Sequence, residues 1–100
     1  MNKVQLAGTV YNQPTVKATP NSLVAKFMLK VDNKAGKGFK LVPITAWGEQ
    51  AGVVADKFAK DSQIELEGEI ETGSYEKDGQ KIYTWGVLVS KIKLDQEVPF

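Results

Sequence analysis

The sequence predicts an all-β domain: a five-stranded Greek-key barrel with one helix between its third and fourth strands. Three observations predict it. Apolar residues recur with a period of two along most of the chain, as they do in strands with one buried face. Helical spacing occurs in a single stretch, Glu49–Lys60. The length, 100 residues with 42% hydrophobic content, is that of one compact domain with a real core.

The first strand is expected over Lys3–Val10, where Val4, Leu6 and Val10 share a side and Gly8 marks a bend or a close approach. Pro14 and Pro20 bracket a connecting loop, and Pro20-Asn21 is a turn signal. The second strand aligns Leu23, Ala25, Phe27, Leu29 and Val31 on one face, with Lys26 and Lys30 on the other. Asp32–Gly38, rich in lysine and glycine, reads as a hairpin tip. Phe39–Trp47 is the third strand, in which Pro43 suits an edge or a bulge. Gly48 breaks it, and the helix follows with Ala51, Val54, Ala55 and Phe58 as its apolar stripe, ending at Asp61 or Ser62. In the fourth strand Ile64, Leu66 and Ile70 alternate with Glu65, Glu67, Glu69 and Glu71, and Gly68 interrupts the buried side. Lys77-Asp78-Gly79-Gln80 is a hairpin turn with glycine placed for positive φ. A fifth strand then runs from about Lys81 to Leu94.

Composition narrows the chemistry. Cysteine is absent, which excludes disulfides, thiolate nucleophiles and zinc–sulfur sites. Histidine is absent too, removing the usual general base and the commonest transition-metal ligand. Carboxylates remain, but Glu65, Glu67, Glu69 and Glu71 alternate along one exposed strand face and do not converge in a pocket. The chain therefore reads as a non-enzyme with no cofactor and no metal. No apolar stretch is long enough to cross a bilayer and the N-terminus lacks a signal-peptide pattern, so a cytoplasmic location is expected.

The net charge of +1 conceals a segregation. Residues 17–40 carry six lysines against Asp32, a balance of +5, whereas residues 41–75 carry two lysines against seven carboxylates, a balance of −5. One basic and one acidic face are expected. All thirteen basic residues are lysines, and without arginine's planar fork, sequence-specific reading of a duplex is disfavoured.

Met1-Asn2-Lys3-Val4-Gln5-Leu6-Ala7-Gly8, Pro14, Thr19-Pro20-Asn21, Phe27–Val31, Ala46-Trp47-Gly48, Lys60–Ile64, Glu67-Gly68, Tyr75, Asp78-Gly79-Gln80 and Tyr83-Thr84 follow one another along nearly the whole chain. Together they resemble the bacterial-type single-stranded DNA-binding proteins, which have the oligonucleotide-binding (OB) fold. The resemblance implies sequence-tolerant binding and protection of single-stranded DNA in replication, recombination and repair, by a homo-oligomer that is most often a tetramer. It places stacking aromatics at Trp47 and Tyr75; Phe39, which sits between lysines and does not suit the core, is the third candidate, and a further family aromatic has no counterpart unless Phe39 substitutes. Unpaired bases expose flat faces on which such rings stack, while lysines track the phosphates. Lys3, Lys17, Lys26, Lys30, Lys40, Lys60 and Lys77 are the candidate phosphate partners, although exposed lysine is common on any surface. A core role competes at Trp47, whose strand-face neighbours Pro43 and Thr45 are not strongly apolar. Trp85 reads as structural, either barrel interior or oligomer contact, and Tyr11 is left open. Glu49, Glu71 and Gly73 stand where basic residues are common in the family, which predicts weaker or more salt-sensitive binding.

Residues 1–94 form the barrel domain in this reading, and 95–100 a short acidic tip. Glu97, Val98, Pro99 and Phe100 resemble the family's terminal motif, which implies capture of replication and repair proteins, here without the family's usual linker. That brevity suits a phage or mobile-element version. The competing function is an OB-fold adapter of the primosome, acting mainly through protein contacts.

Overall fold

The computed structural model describes residues 1–33 and 36–94. The elements run β1 (Val4–Val10), β2 (Thr15–Ala18), β3 (Leu23–Asp32), β4 (Phe39–Trp47), α1 (Glu49–Lys57), β5 (Gln63–Lys77) and β6 (Gln80–Leu94). The strands follow the order β1-β5-β6-β4-β3-β2, and β1 also pairs with β3. That last pairing closes β1, β5, β6, β4 and β3 into a five-membered ring with α1 between β4 and β5, the predicted OB-fold barrel. The one strand that periodicity missed is β2. It lies within the loop expected between Pro14 and Pro20, and pairs with β3 from Thr15↔Lys26 to Ala18↔Leu23. All four of its residues are exposed, so no buried alternation announces it.

The core comes from the inward positions of each strand: Val10, Ala25, Phe27, Leu29, Val42, Ile44, Ala46, Ile64, Leu66, Val87 and Val89. Helix α1 closes one side with Ala51 and Val54, and it ends earlier than its spacing predicts. Phe58 leaves the helix in an extended conformation and packs edge-on against Phe27, with ring centroids 5.5 Å apart. Ala55, expected in the apolar stripe, is exposed.

Two glycines allow the strands to coil so tightly. A Cβ on Gly8 would overlap the Lys30 carbonyl oxygen, where β1 crosses β3. A Cβ on Gly68 would overlap the Leu88 carbonyl oxygen at the β-bulge of the β5–β6 pair. There Glu67 pairs with Lys91 and Gly68 with Val89, which leaves Ser90 as the extra residue. The bulge resets the alternation of β6, so that Val87 and Val89 face inward before it and Ile92 after it.

Two ring junctions are short. β1 meets β3 only at Thr9↔Lys30 and Val10↔Leu29, and β4 meets β6, in parallel, only at Ile44↔Val87 and Thr45↔Leu88. Pro43 explains the second. Met28, its partner on β3, spends its N–H on the Asn12 Oδ1 and its carbonyl on the Tyr11 N–H, both on the side away from β4. In an antiparallel pair the Pro43 nitrogen therefore points toward β6, where it has no hydrogen to give. β6 separates from β4 at that point, next to Gly86.

Candidate nucleic-acid interface

Cross-strand register brings the site together. Side chains opposite each other share a face, so the outward face of the β2–β3–β4 sheet is a set of rows: Lys17–Val24–Trp47, Thr15–Lys26–Thr45, Met28–Pro43, Lys30–Leu41 and Asp32–Phe39. Trp47 ends β4 on this face at 47% exposure, beside fully buried Ala46. That settles the alternative of a core tryptophan against the core. Phe39 occupies the other end of β4, with the Lys30 Nζ 4.7 Å from its ring centroid. The Tyr11 ring lies 6.2 Å from Phe39, held there by the bond from its N–H to the Met28 carbonyl. Among the described residues Asp32 is the only acidic group in these rows.

Across the ring, the outward faces of β1, β5 and β6 carry a row of carboxylates partly balanced by lysines. Glu65 and Glu67 stand opposite Lys93 and Lys91, and Glu69 and Glu71 continue the row. The Gln5 amide donates to the Glu67 carboxylate at 3.0 Å, and the Lys3 ammonium approaches it to 3.2 Å. These two groups, Gln5 first, hold the Glu67 carboxyl below its ordinary range. The segregation seen in the sequence thus becomes a lysine-bearing β2–β3–β4 face and a carboxylate row on β5, which approach each other where Lys26 and Glu71 line one groove.

The sequence candidates divide accordingly. Lys17, Lys26, Lys30, Phe39 and Trp47 come together on one face. Lys3 does not join them; it pairs with Glu67 on the acidic side. Lys40 alternates with Phe39 and projects from the other face of β4. Lys60 follows α1, with its backbone N–H directed at the Gln13 side chain, near Tyr11. Tyr75 and Lys77 lie together on a hairpin arm.

That arm is the second feature. β5 and β6 continue well past the barrel as a two-stranded ribbon, exposed throughout from Glu69 to Lys81. Asp78 and Gly79 both have positive φ, 53° and 79°, which makes the tip a type I′ turn with the twist of the ribbon. Counting from Lys77↔Gln80 gives Tyr75↔Ile82 on one face, and Ser74↔Tyr83 and Thr72↔Trp85 on the other. Trp85 is 52% and Tyr83 76% exposed, so the barrel-interior reading of Trp85 is overturned: β6 has already left the barrel there. Between the arm's base and β3–β4 lies a groove of about 580 Å³, lined by Lys26, Met28, Pro43, Thr45, Thr72 and Trp85 among others. Exposure of Trp85 and Tyr11 adds two aromatic surfaces that the sequence had left open or read as structural. The signal for Trp85 was present, since counting back from the Asp-Gly turn sets it opposite Thr72, too small and polar a partner for a core position.

Residues 95–100, with the tip residues Glu97, Val98, Pro99 and Phe100, lie outside the described residues.

The chain matches the Single-strand binding protein family over residues 1–95. It is similar to the single-stranded DNA-binding protein of Clostridium tetani, 36% identical over 100 residues, 93% of this chain and 69% of that protein. Single-stranded DNA-binding protein 3 of Clostridium acetobutylicum is 34% identical over the same shares of each chain. Single-stranded DNA-binding protein 2 of Streptococcus agalactiae is 31% identical over 99 residues, 93% of this chain and 76% of the relative.

Proposed function

Because the chain belongs to the single-strand binding protein family, whose members bind DNA without catalysis, we propose that it coats single-stranded DNA with little regard for sequence, in replication, recombination and repair. One observation carries the mechanism: exposed Trp47 and Phe39 share the β2–β3–β4 face with Lys17, Lys26 and Lys30. Bases stack on the rings and the ammonium groups follow the phosphates. This is the side of an OB barrel that takes oligonucleotides in general. Lysine without arginine supplies charge and no fork for reading a base edge, consistent with coating.

Tyr75 and Lys77 extend the contact along the arm, Lys60 follows α1 near Tyr11, and Lys40, on the other face of β4, stands apart from the main face. Lys3, neutralised by Glu67, contributes least. A homo-oligomer, a tetramer in the family's usual manner, would let one strand pass over several barrels. Recruitment of replication and repair proteins by Glu97, Val98, Pro99 and Phe100 rests on the sequence of those residues alone.

The test is anisotropy of a labelled oligo-dT titrated at several salt concentrations. Saturable binding at low salt, much weaker for a duplex of equal length, supports coating, and absence of low-salt binding refutes it. Each phosphate contact on a single strand adds about 0.7 to the log–log salt slope. Replacing Lys17, Lys26 and Lys30 together by alanine is therefore expected to flatten that slope by about 2. Replacing Lys3 should leave it nearly unchanged.

A further inference from the structure

We infer that Tyr11 is a base-stacking residue and that, with Phe39, it makes a second platform for DNA at the end of the basic face away from Trp47. The inference rests on the single-stranded DNA reading and adds to it a residue to which the resemblance assigns no role.

Strand parity puts the two rings on one face. Val10 is fully buried, and Thr9 pairs with Lys30 on the outward side of β3. The Tyr11 N–H continues that register by donating to the Met28 carbonyl at 2.9 Å, so Tyr11 alternates outward with Thr9. Phe39 is outward too, since Val42, Ile44 and Ala46 of its strand are the buried positions. Tyr11 stands on the β1 side of β3 and Phe39 on the β4 side, yet their rings meet across β3 at 6.2 Å and a tilt of 36°. Lys30 pairs with a neighbour of each, Thr9 and Leu41. It is half-buried there, with its Nζ 4.7 Å from the Phe39 centroid.

The chemistry favours a base as the occupant. The backbone bond that fixes Tyr11 is one that any residue except proline makes. Its ring adds nothing to that bond, lies outside the core cluster and is 45% exposed, as is Phe39. Flat aromatic surface beside a lysine is what an unpaired base stacks on. The Lys30 ammonium covers part of Phe39, and Tyr11 supplies further ring area next to it. Nearby charges balance: Lys30 and Lys60 stand against Asp32, opposite Phe39, and Asp61, whose N–H donates to the Val10 carbonyl. The platform therefore offers ring surface, and a base suits it better than a phosphate.

The distance fits a single strand. Phe39 and Trp47 close the two ends of nine-residue β4, about 26 Å apart. About eight nucleotides cover that length at the duplex rise, and fewer when extended. One OB fold occupies roughly 4–16. DNA stacked on Trp47 thus reaches the platform along the Lys26–Thr45 and Lys30–Leu41 rows.

Photo-crosslinking of oligo-dT carrying 5-iododeoxyuridine, with tryptic digestion and mass spectrometry, tests the contact directly. Residues 4–17 and 41–57 are tryptic peptides with one aromatic residue each, Tyr11 and Trp47. Adducts on both peptides support the platform. At saturating DNA, an adduct on the Trp47 peptide with none on the Tyr11 peptide overturns it and leaves the coating function standing. Anisotropy of labelled oligo-dT gives a second readout. Tyr11→Ala is expected to weaken binding about 5- to 150-fold, the range of one lost stack, with salt slope and melting temperature unchanged. Tyr11→Phe, which keeps the ring, restores most of the affinity. A Tyr11→Ala protein that binds as tightly as the original but melts lower also overturns the platform, by assigning the ring to fastening the short β1–β3 junction. Absence of low-salt binding by the unsubstituted protein removes the coating reading and the platform together.

Discussion

Removing the Trp47 and Phe39 side chains together, by Trp47→Ala and Phe39→Ala, is expected to lower the affinity for oligo-dT roughly 30-fold to 20,000-fold without unfolding the protein. The range follows from two stacked bases at about 1–3 kcal/mol each, with about 1.4 kcal/mol for each factor of ten. The protein should stay folded because both rings lie about half exposed on the outward face of β4, while the inward residues Val42, Ile44 and Ala46 are untouched. The salt slope should also stay in place, since neither ring carries charge. Equilibrium titrations at two salt concentrations, with a thermal melt of the free variant, separate the outcomes. A fall in the slope, or a melting temperature lowered by ten degrees or more, would contradict a stacking role.

The second large effect is on stability. Gly68→Ala is expected to destabilise the barrel by at least about 3 kcal/mol, the upper end of ordinary overpacking, which lowers the melting temperature by roughly 12–24 °C for a domain of this size. The new methyl group would overlap the Leu88 carbonyl oxygen and press on Val87 at the bulge, where the alternation of β6 is reset. Backbone on the far side of a paired strand has nowhere to retreat. Gly52→Ala is the control: its Cβ meets nothing within 4 Å in α1, and alanine there should stabilise the protein by about 0.5–1 kcal/mol. Thermal or urea denaturation of the two variants tests both signs. A Gly68→Ala protein as stable as the original would disprove the close approach.

Much of this was legible before any coordinates, and the pattern of what was not is physical. The inward strands were readable because Phe27, Leu29, Ile64 and Leu66 had to alternate with polar partners to make a core. Val10, Gly8 and Gly68 fell where the reading put them. β2 was missed because it buries no side chain: its pairing depends only on backbone hydrogen bonds to β3. The helix end was misplaced because Phe58 keeps the helical stripe's apolar character while leaving the helix to meet Phe27. At the site, the basic face was visible as a lysine-rich segment of chain. Its membership was not, because which lysines join Trp47 is decided by register across three strands. Lys40 lost its place by a single residue of alternation, and Lys3 by its ion pair with Glu67. The barrel-interior alternative for Trp85 falls because a tryptophan next to Val87 and Val89 looks interior until the length of the arm is known, while its alternative as a contact between copies stays open.

The two short junctions of the ring give the barrel an uneven stiffness. The β3–β4 hairpin, which carries Trp47, Phe39 and the three lysines, is fastened to the rest of the ring through Thr9 and Val10 on one side and through Ile44 and Thr45 on the other. Facing it, β5 and β6 stay zipped along their whole length. In the coating reading proposed above, a strand of DNA drawn over the face would load two short junctions, opposite a wall paired along its whole length. Purines and pyrimidines differ in ring area and in reach from the backbone. A surface that yields slightly would accept both, so the sequence-tolerant coating proposed above would have a mechanical source as well as a chemical one.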